Sequence, residues 1–175
     1  LAQLERNAAN LRQAVEWALE QKDTVLGLRL CSAAWRFWHL KSHLGEGRAF
    51  CERVLALPAG PADLRAKVLN ANGRLAYLQG DYGEARKLHE AALKLAGDGE
   101  AIQAMSLNAL GAVAYEEGHY AEAVDWFKRA FDLRRAMDDR FGHFAQIRNP
   151  LDSDATAVAA FQTELAKKLQ AFRKS

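Results

Sequence analysis

Hydrophobic residues recur along most of the chain at three- and four-residue spacings, which places them on one face of an α-helix. Val68, Leu75 and Leu78 show this spacing in the middle of the chain. Helix breakers are sparse, since the prolines stand only at positions 58, 61 and 150. Alanine and leucine far outnumber the β-branched residues, and the sequence therefore predicts an all-α protein.

The same apolar pattern returns with a period of 38 residues, and three segments align at this shift without an insertion. Each segment contains two helix-length patterns around a short polar turn, at residues 42–48, 80–86 and 118–124. Gly80 and Gly118 fit the left-handed position just past a helix end. Asp81 fits the capping position of the next helix. We therefore expect three antiparallel helical hairpins.

Small residues in the repeat predict close helix packing. Gly73 and Gly111 share one repeat position, although a glycine inside a helix costs about 1 kcal/mol relative to alanine. A packing requirement that outweighs this cost is expected at both positions. The first copy departs from the later ones at Trp35, Trp38 and Gly47, which predicts a bulkier core there.

Several residues with reactive or large side chains are expected to be core residues. Cys31 and Cys51 lie in apolar helical runs and are too few for a disulfide scaffold. His89 shares a repeat position with Cys51 and Phe127, which favours a hydrogen-bonded core histidine over a catalytic one. The tryptophans at positions 17, 35, 38 and 126 also fit helix faces that pack into the core.

The repeated residues have a recognisable order, Gly73…Ala76…Gly80-x-Tyr82-x-x-Ala85 and Gly111…Ala114…Gly118-x-Tyr120-x-x-Ala123. This order resembles the tetratricopeptide repeat, which has a period of 34 residues. The four additional residues here are expected to lengthen the helices. The resemblance implies a right-handed superhelix of helical hairpins that binds other proteins.

A second resemblance begins at the N-terminus. The segment Leu4–Leu19, with Trp17 near its end, and the segments at 28–38 and 46–48 resemble the start of the C-terminal repeat array of bacterial signal-transduction ATPases. These proteins are similar in layout to MalT- and LuxR/AfsR-type transcriptional regulators. The resemblance spans about residues 1–140. It implies the sensor part of a regulator, which holds an ATPase switch in one state until a partner binds.

We expect a single helical-repeat domain over residues 1–175, cut from a longer protein. Its predicted parts are a leading helix at 1–22, repeat hairpins at 28–61, 66–99 and 104–137, a partial repeat at 141–149 and a last helix at 154–174. The last helix has an apolar stripe of Val158, Phe161, Leu165, Leu169 and Phe172. It is expected to cap the array. The alternative is that it binds a partner.

The net charge and the absence of known motifs argue against several function classes. A net charge of +2 gives no support for binding to nucleic acid or to a membrane surface, and a cytoplasmic location is expected. No phosphate-binding loop, nucleophile elbow or zinc-protease motif is present, so we expect no enzyme and no cofactor. His39 and His43 could share a helix face, but two ligands do not make a metal site. Adjacent Glu116 and Glu117 are expected on a solvated face.

The first helix of each hairpin is expected to line a concave groove. The predicted ligand-binding residues are Arg29, Ser32, Arg36, His39, Lys67, Asn70, Arg74, Tyr77, Asn108 and Tyr115. Asparagine can hydrogen-bond a peptide backbone, arginine can pair with a carboxylate, and tyrosine offers flat contact area.

The expected ligand of this groove is an acidic peptide of a protein partner, or another domain of the same full-length chain. Three alternatives stay open. The chain can be a free-standing adaptor, or the receptor of a small effector between Trp38, His39 and Tyr77. The groove residues can also be only a solvated surface.

Overall fold

The computed structural model describes residues 2–141, with side chains from residue 9 to residue 138. Its helices are α1 (Ala2–Glu20), α2 (Thr24–Leu40), α3 (Leu44–Leu55), α4 (Ala62–Leu78), α5 (Tyr82–Leu95), α6 (Glu100–Glu116) and α7 (Tyr120–Phe141). No strand occurs between residues 2 and 141, as the all-α prediction requires. The partial repeat beyond residue 141 and the last helix at 154–174 lie outside the described residues.

The helix bounds reproduce the period of the sequence. The first helices of the hairpins, α2, α4 and α6, have 17 residues each and begin at residues 24, 62 and 100. The second helices, α3, α5 and α7, follow at the same interval. Each hairpin begins four residues before the predicted start. Capping explains the difference for α2, because the Asp23 side chain accepts a hydrogen bond from the Leu26 amide at 3.0 Å.

The predicted turn chemistry is confirmed. Gly80 and Gly118 have φ angles of 78° and 80°, and the Asp81 carboxylate accepts from the Glu84 amide at 3.3 Å. Ser42 takes the same left-handed conformation in the first hairpin, with a φ of 57°. The two helices of each hairpin are therefore joined by equivalent tight turns.

Gly73 and Gly111 each make room for one large side chain of the facing helix. A Cβ atom at Gly73 would lie 2.8 Å from the His89 ring, and one at Gly111 would lie 2.8 Å from the Phe127 ring. Real Cβ atoms do not approach other atoms so closely. The expected packing requirement at both positions is confirmed, and its cause is a ring from the second helix.

In the first hairpin the roles of the two helices are exchanged. Here the glycine is Gly47 on α3, and the large ring is that of Trp38 on α2. A Cβ atom at position 47 would lie 2.7 Å from the Trp38 ring. Trp35 and Cys51 stand where the later hairpins have the glycine and the large residue. The departures of the first copy therefore compensate one another in volume, as dense core packing requires.

We expect Gly47→Ala to lower the free energy of unfolding by about 1–2 kcal/mol, because overpacking Trp38 outweighs the higher helix propensity of alanine. Gly45→Ala in the same helix is the matched control, since only the Gln79 side chain lies near, at 3.8 Å. This control should be neutral or more stable. Urea unfolding of both variants measures the difference, and equal stability of the two would refute the packing explanation.

The largest core cluster joins the first four helices. It includes Trp38, Cys31 and Cys51, each at most 1% exposed. The core assignment of both cysteines and of Trp38 is confirmed. Trp17 is 53% exposed, so the prediction of a core position is wrong for this residue. It lies on a side of α1 that the described helices do not cover.

Consecutive hairpins pack side by side. Helix α1 contacts α2 and α3, both helices of the first hairpin contact α4, and α6 contacts both α4 and α5. The first helices α2, α4 and α6 are therefore neighbours in that order. Within residues 2–141 no helix combines the length and the apolar character that crossing a membrane requires.

Candidate binding face

The first helices present matching positions on one side of the stack, which we call the first-helix face. Its residues recur at i, i+7 and i+10 on each helix, a spacing that keeps them on one side. They are Arg29, Arg36 and His39 on α2, Lys67, Arg74 and Tyr77 on α4, and Met105, Ala112 and Tyr115 on α6. Arg74, Tyr77, Ala112 and Tyr115 are half-buried, and the other five are exposed.

Asn70 does not belong to this face. Its side chain is 5% exposed, its amide nitrogen donates to Ser106 Oγ at 2.9 Å, and its amide oxygen lies 2.8 Å from His89 Nδ1. The prediction that Asn70 is exposed to a ligand is wrong, because its side chain lies buried between α4 and α6, where it is hydrogen-bonded to Ser106. The expectation for His89 is confirmed, since it is a buried and hydrogen-bonded histidine.

Two other predicted residues take intermediate places. Ser32 and Asn108 are half-buried at the repeat position that Asn70 occupies in the second hairpin. The Ser32 hydroxyl donates to the Arg29 carbonyl oxygen of its own helix at 3.0 Å. Its hydroxyl hydrogen is therefore used inside α2, and only its acceptor capacity remains for a ligand.

Three arginines of the first-helix face have no carboxylate within 4 Å among the described residues, namely Arg29, Arg36 and Arg74. Arg36 lies 5.3 Å from the centre of the Trp35 ring, and Arg74 lies 5.6 Å from that of Tyr77. A guanidinium over an aromatic ring can still donate to an anion. The Nε atom of Arg74 is itself buried and has no hydrogen-bond partner among the described residues, which leaves the Nη groups to bind a ligand. The exposed cation Lys67 has an i,i+4 ion pair with Asp63 at 3.3 Å.

The arginines of α3 and α5 are all paired. Arg48 reaches Asp81 at 3.1 Å, and Arg53 reaches Glu16 at 2.7 Å. Arg53 keeps the pKa of Glu16 below its ordinary value through its hydrogen bonds. These arginines of α3 and α5 therefore join neighbouring helices and are not available to a partner.

Arg86 forms the most extensive of these pairs. Its guanidinium binds Glu117 and Glu122 of the next hairpin, each at 2.6 Å, and these hydrogen bonds raise its pKa. Glu117 is half-buried in this pair, so the expected solvated position is wrong for it. Sequence reasoning missed this network, although the shared repeat position of Arg48 and Arg86 was a signal for it.

Tyr77 is held in place by the third hairpin. Its hydroxyl donates to Glu116 Oε1 at 3.1 Å, and its ring centre lies 5.6 Å from that of Tyr82. Burial is the largest cause of the raised pKa of Tyr77, and Glu116 adds to it. The ring below Arg74 therefore has a fixed position before any ligand binds.

The proposed pocket for a small effector between Trp38, His39 and Tyr77 is not formed. Trp38 is 1% exposed because its ring enters the core of the first hairpin. His39 lies in the last turn of α2, whereas His43 precedes α3 beyond the turn, so the two histidines do not share a helix. Residues 2–141 contain no group of three or more histidine, cysteine or acidic residues placed to hold a metal ion.

Residues 64–136 match the family model described as tetratricopeptide repeat. The match supports a tetratricopeptide repeat domain. It extends from α4 into α7, and the first hairpin shares its period and turn geometry. Tetratricopeptide repeats generally mediate protein–protein interaction. The sequence has no match among curated proteins.

Proposed function

We propose that the chain is a non-catalytic protein-binding module that receives an acidic segment of its partner on the first-helix face. The observation that carries this proposal is a contrast between the arginines of the first helices and those of the second helices in the first two hairpins. Arginines of α3 and α5 are neutralised by carboxylates, whereas Arg29, Arg36 and Arg74 on α2 and α4 are not.

The chemistry of the three arginines suits a carboxylate ligand. A guanidinium can donate two parallel hydrogen bonds to one carboxylate, and such charge-assisted bonds are stronger than neutral ones. Because Tyr77 is already fixed by Glu116, the ring that supports Arg74 loses little freedom on binding. The first-helix face is therefore organised before the partner arrives.

Selection of random peptides displayed on phage tests this function with the protein as it is. We expect aspartate and glutamate to be enriched among the retained peptides. Arg36→Gln combined with Arg74→Gln should weaken the binding of these peptides about 30-fold, from two contacts of about 1 kcal/mol each.

The control variant combines Lys94→Gln with Lys128→Gln, exposed cations of α5 and α7. It lowers the net charge by the same amount and should bind as the wild type does. Retained peptides without acidic residues, or equal losses in both double variants, would contradict the proposal.

The sensor part of a bacterial signal-transduction ATPase is a second candidate. Residues 4–19 carry that resemblance, and they belong to α1, which packs against the first hairpin. Such a regulator requires a phosphate-binding loop encoded before Leu1. Reading the coding sequence on that side tests the candidate, and a long upstream region without the loop would contradict it.

A further inference from the structure

The first-helix face changes its chemistry between the second and the third hairpin. One repeat position is occupied by Arg29, then Lys67, then Met105, and Met105 is 51% exposed. A second position is occupied by Arg36, then Arg74, then Ala112. Both positions therefore change from cationic to apolar at the same hairpin.

The whole first helices follow the same division. Helix α2 contains no acidic residue, and α6 contains no lysine or arginine. The packed order of α2, α4 and α6 then gives a cationic region over two hairpins and, at Met105 and Ala112, an apolar region on the third, where the only charged residues of α6 are Glu100 and Glu116 at its two ends. An exposed methionine is a flexible apolar contact for a partner side chain.

We infer that the partner segment is bipartite, with acidic side chains against α2 and α4 and an apolar side chain against Met105 and Ala112. This inference rests on the proposed function and adds the order of the ligand residues. Neighbouring helices lie about 8–10 Å apart, and an extended peptide advances about 3.3 Å per residue. The apolar residue should therefore follow the nearest acidic residue by about three positions, always in the same direction.

The test extends the cationic region onto the third hairpin. Met105→Lys combined with Ala112→Arg gives α6 the side chains that Lys67 and Arg74 provide on α4, where the same positions accommodate them. The control combines Ala49→Lys with Ala121→Arg, which adds two positive charges at exposed positions of α3 and α7. Phage selection of random peptides is repeated on the wild type and on both variants.

Wild-type selection should enrich peptides with acidic residues and an apolar residue about three positions away, in a single order. The Met105→Lys, Ala112→Arg variant should replace that apolar residue by aspartate or glutamate and should bind wild-type peptides at least tenfold more weakly. The control should keep the wild-type preference. If the double variant unfolds at room temperature, Met105→Lys alone is used, with the same expectation at a reduced effect.

Two results overturn the inference and leave the proposed function intact. One is enrichment of acidic peptides without an ordered apolar residue. The other is an apolar preference that Met105→Lys, Ala112→Arg does not change. Retained peptides that lack acidic residues would instead contradict the proposed function itself, and the bipartite ligand with it.

Discussion

Replacing Trp38 by alanine should lower the free energy of unfolding by about 3–5 kcal/mol, because it leaves a large cavity in the core of the first hairpin. The Trp38 side chain is 1% exposed, and its ring stacks on Phe50 at 6.0 Å between centres. Gly47 cannot fill the space, since it has no side chain. Urea unfolding should show the loss directly.

Trp17→Ala is the matched control for this prediction. It removes the same side chain from a position that is 53% exposed, where truncation should cost less than about 1 kcal/mol. The ratio of the two effects measures how much of the stability depends on the exchanged packing of Trp38 and Gly47. Losses of similar size would mean that the first hairpin repacks around the cavity.

The protein should lose about 2 kcal/mol of stability between pH 6.5 and pH 5, and His89 should be the cause. Burial, with a contribution from the nearby positive charge of Arg74, lowers the pKa of His89 from 6.5 to about 4. The unfolded chain therefore takes up a proton near pH 6.5 that the folded chain does not bind until about pH 4. The free energy of unfolding that neutral His89 contributes is present above pH 6.5 and falls as the pH decreases through this window.

Two variants test whether His89 causes this pH dependence. His89→Phe, which installs the side chain that the third hairpin has as Phe127, should remove the pH dependence between 6.5 and 5. His39→Gln changes an exposed histidine and should leave the dependence as it is. Carboxylates with lowered pKa, such as Glu16 and Glu122, contribute only at lower pH. An unchanged slope in His89→Phe would refute the assignment.

The fold could be predicted from the sequence because its determinants are local and repeated. Glycines at 80 and 118, the cap at Asp81 and the apolar helix faces each specify their own segment, and their 38-residue period predicts the stack. What the period did not reveal is which exceptions pair with each other. Trp38 and Gly47 both departed from the pattern, but only their contact shows that one compensates the other.

The binding face was predicted less completely, because one repeat position can have different surroundings in different hairpins. Ser32 and Asn108 are half-buried, whereas Asn70 is buried at the same position. The difference comes from Ser106 and His89, polar residues at positions that are otherwise mostly apolar, which give Asn70 its hydrogen-bond partners. Because Ser106 and His89 are polar residues at core positions, their presence in the sequence was the available sign that a third polar residue, Asn70, is buried with them.

Photo-crosslinking of an enriched acidic peptide, followed by mass spectrometry, tests the location of the binding site most directly. The peptide carries a benzoylphenylalanine beside its acidic residues. The first-helix face predicts crosslinks within α2 and α4, at residues 24–40 and 62–78, and their loss when Arg36 and Arg74 are both changed to glutamine. Crosslinks confined to the second helices α3, α5 and α7 would contradict it.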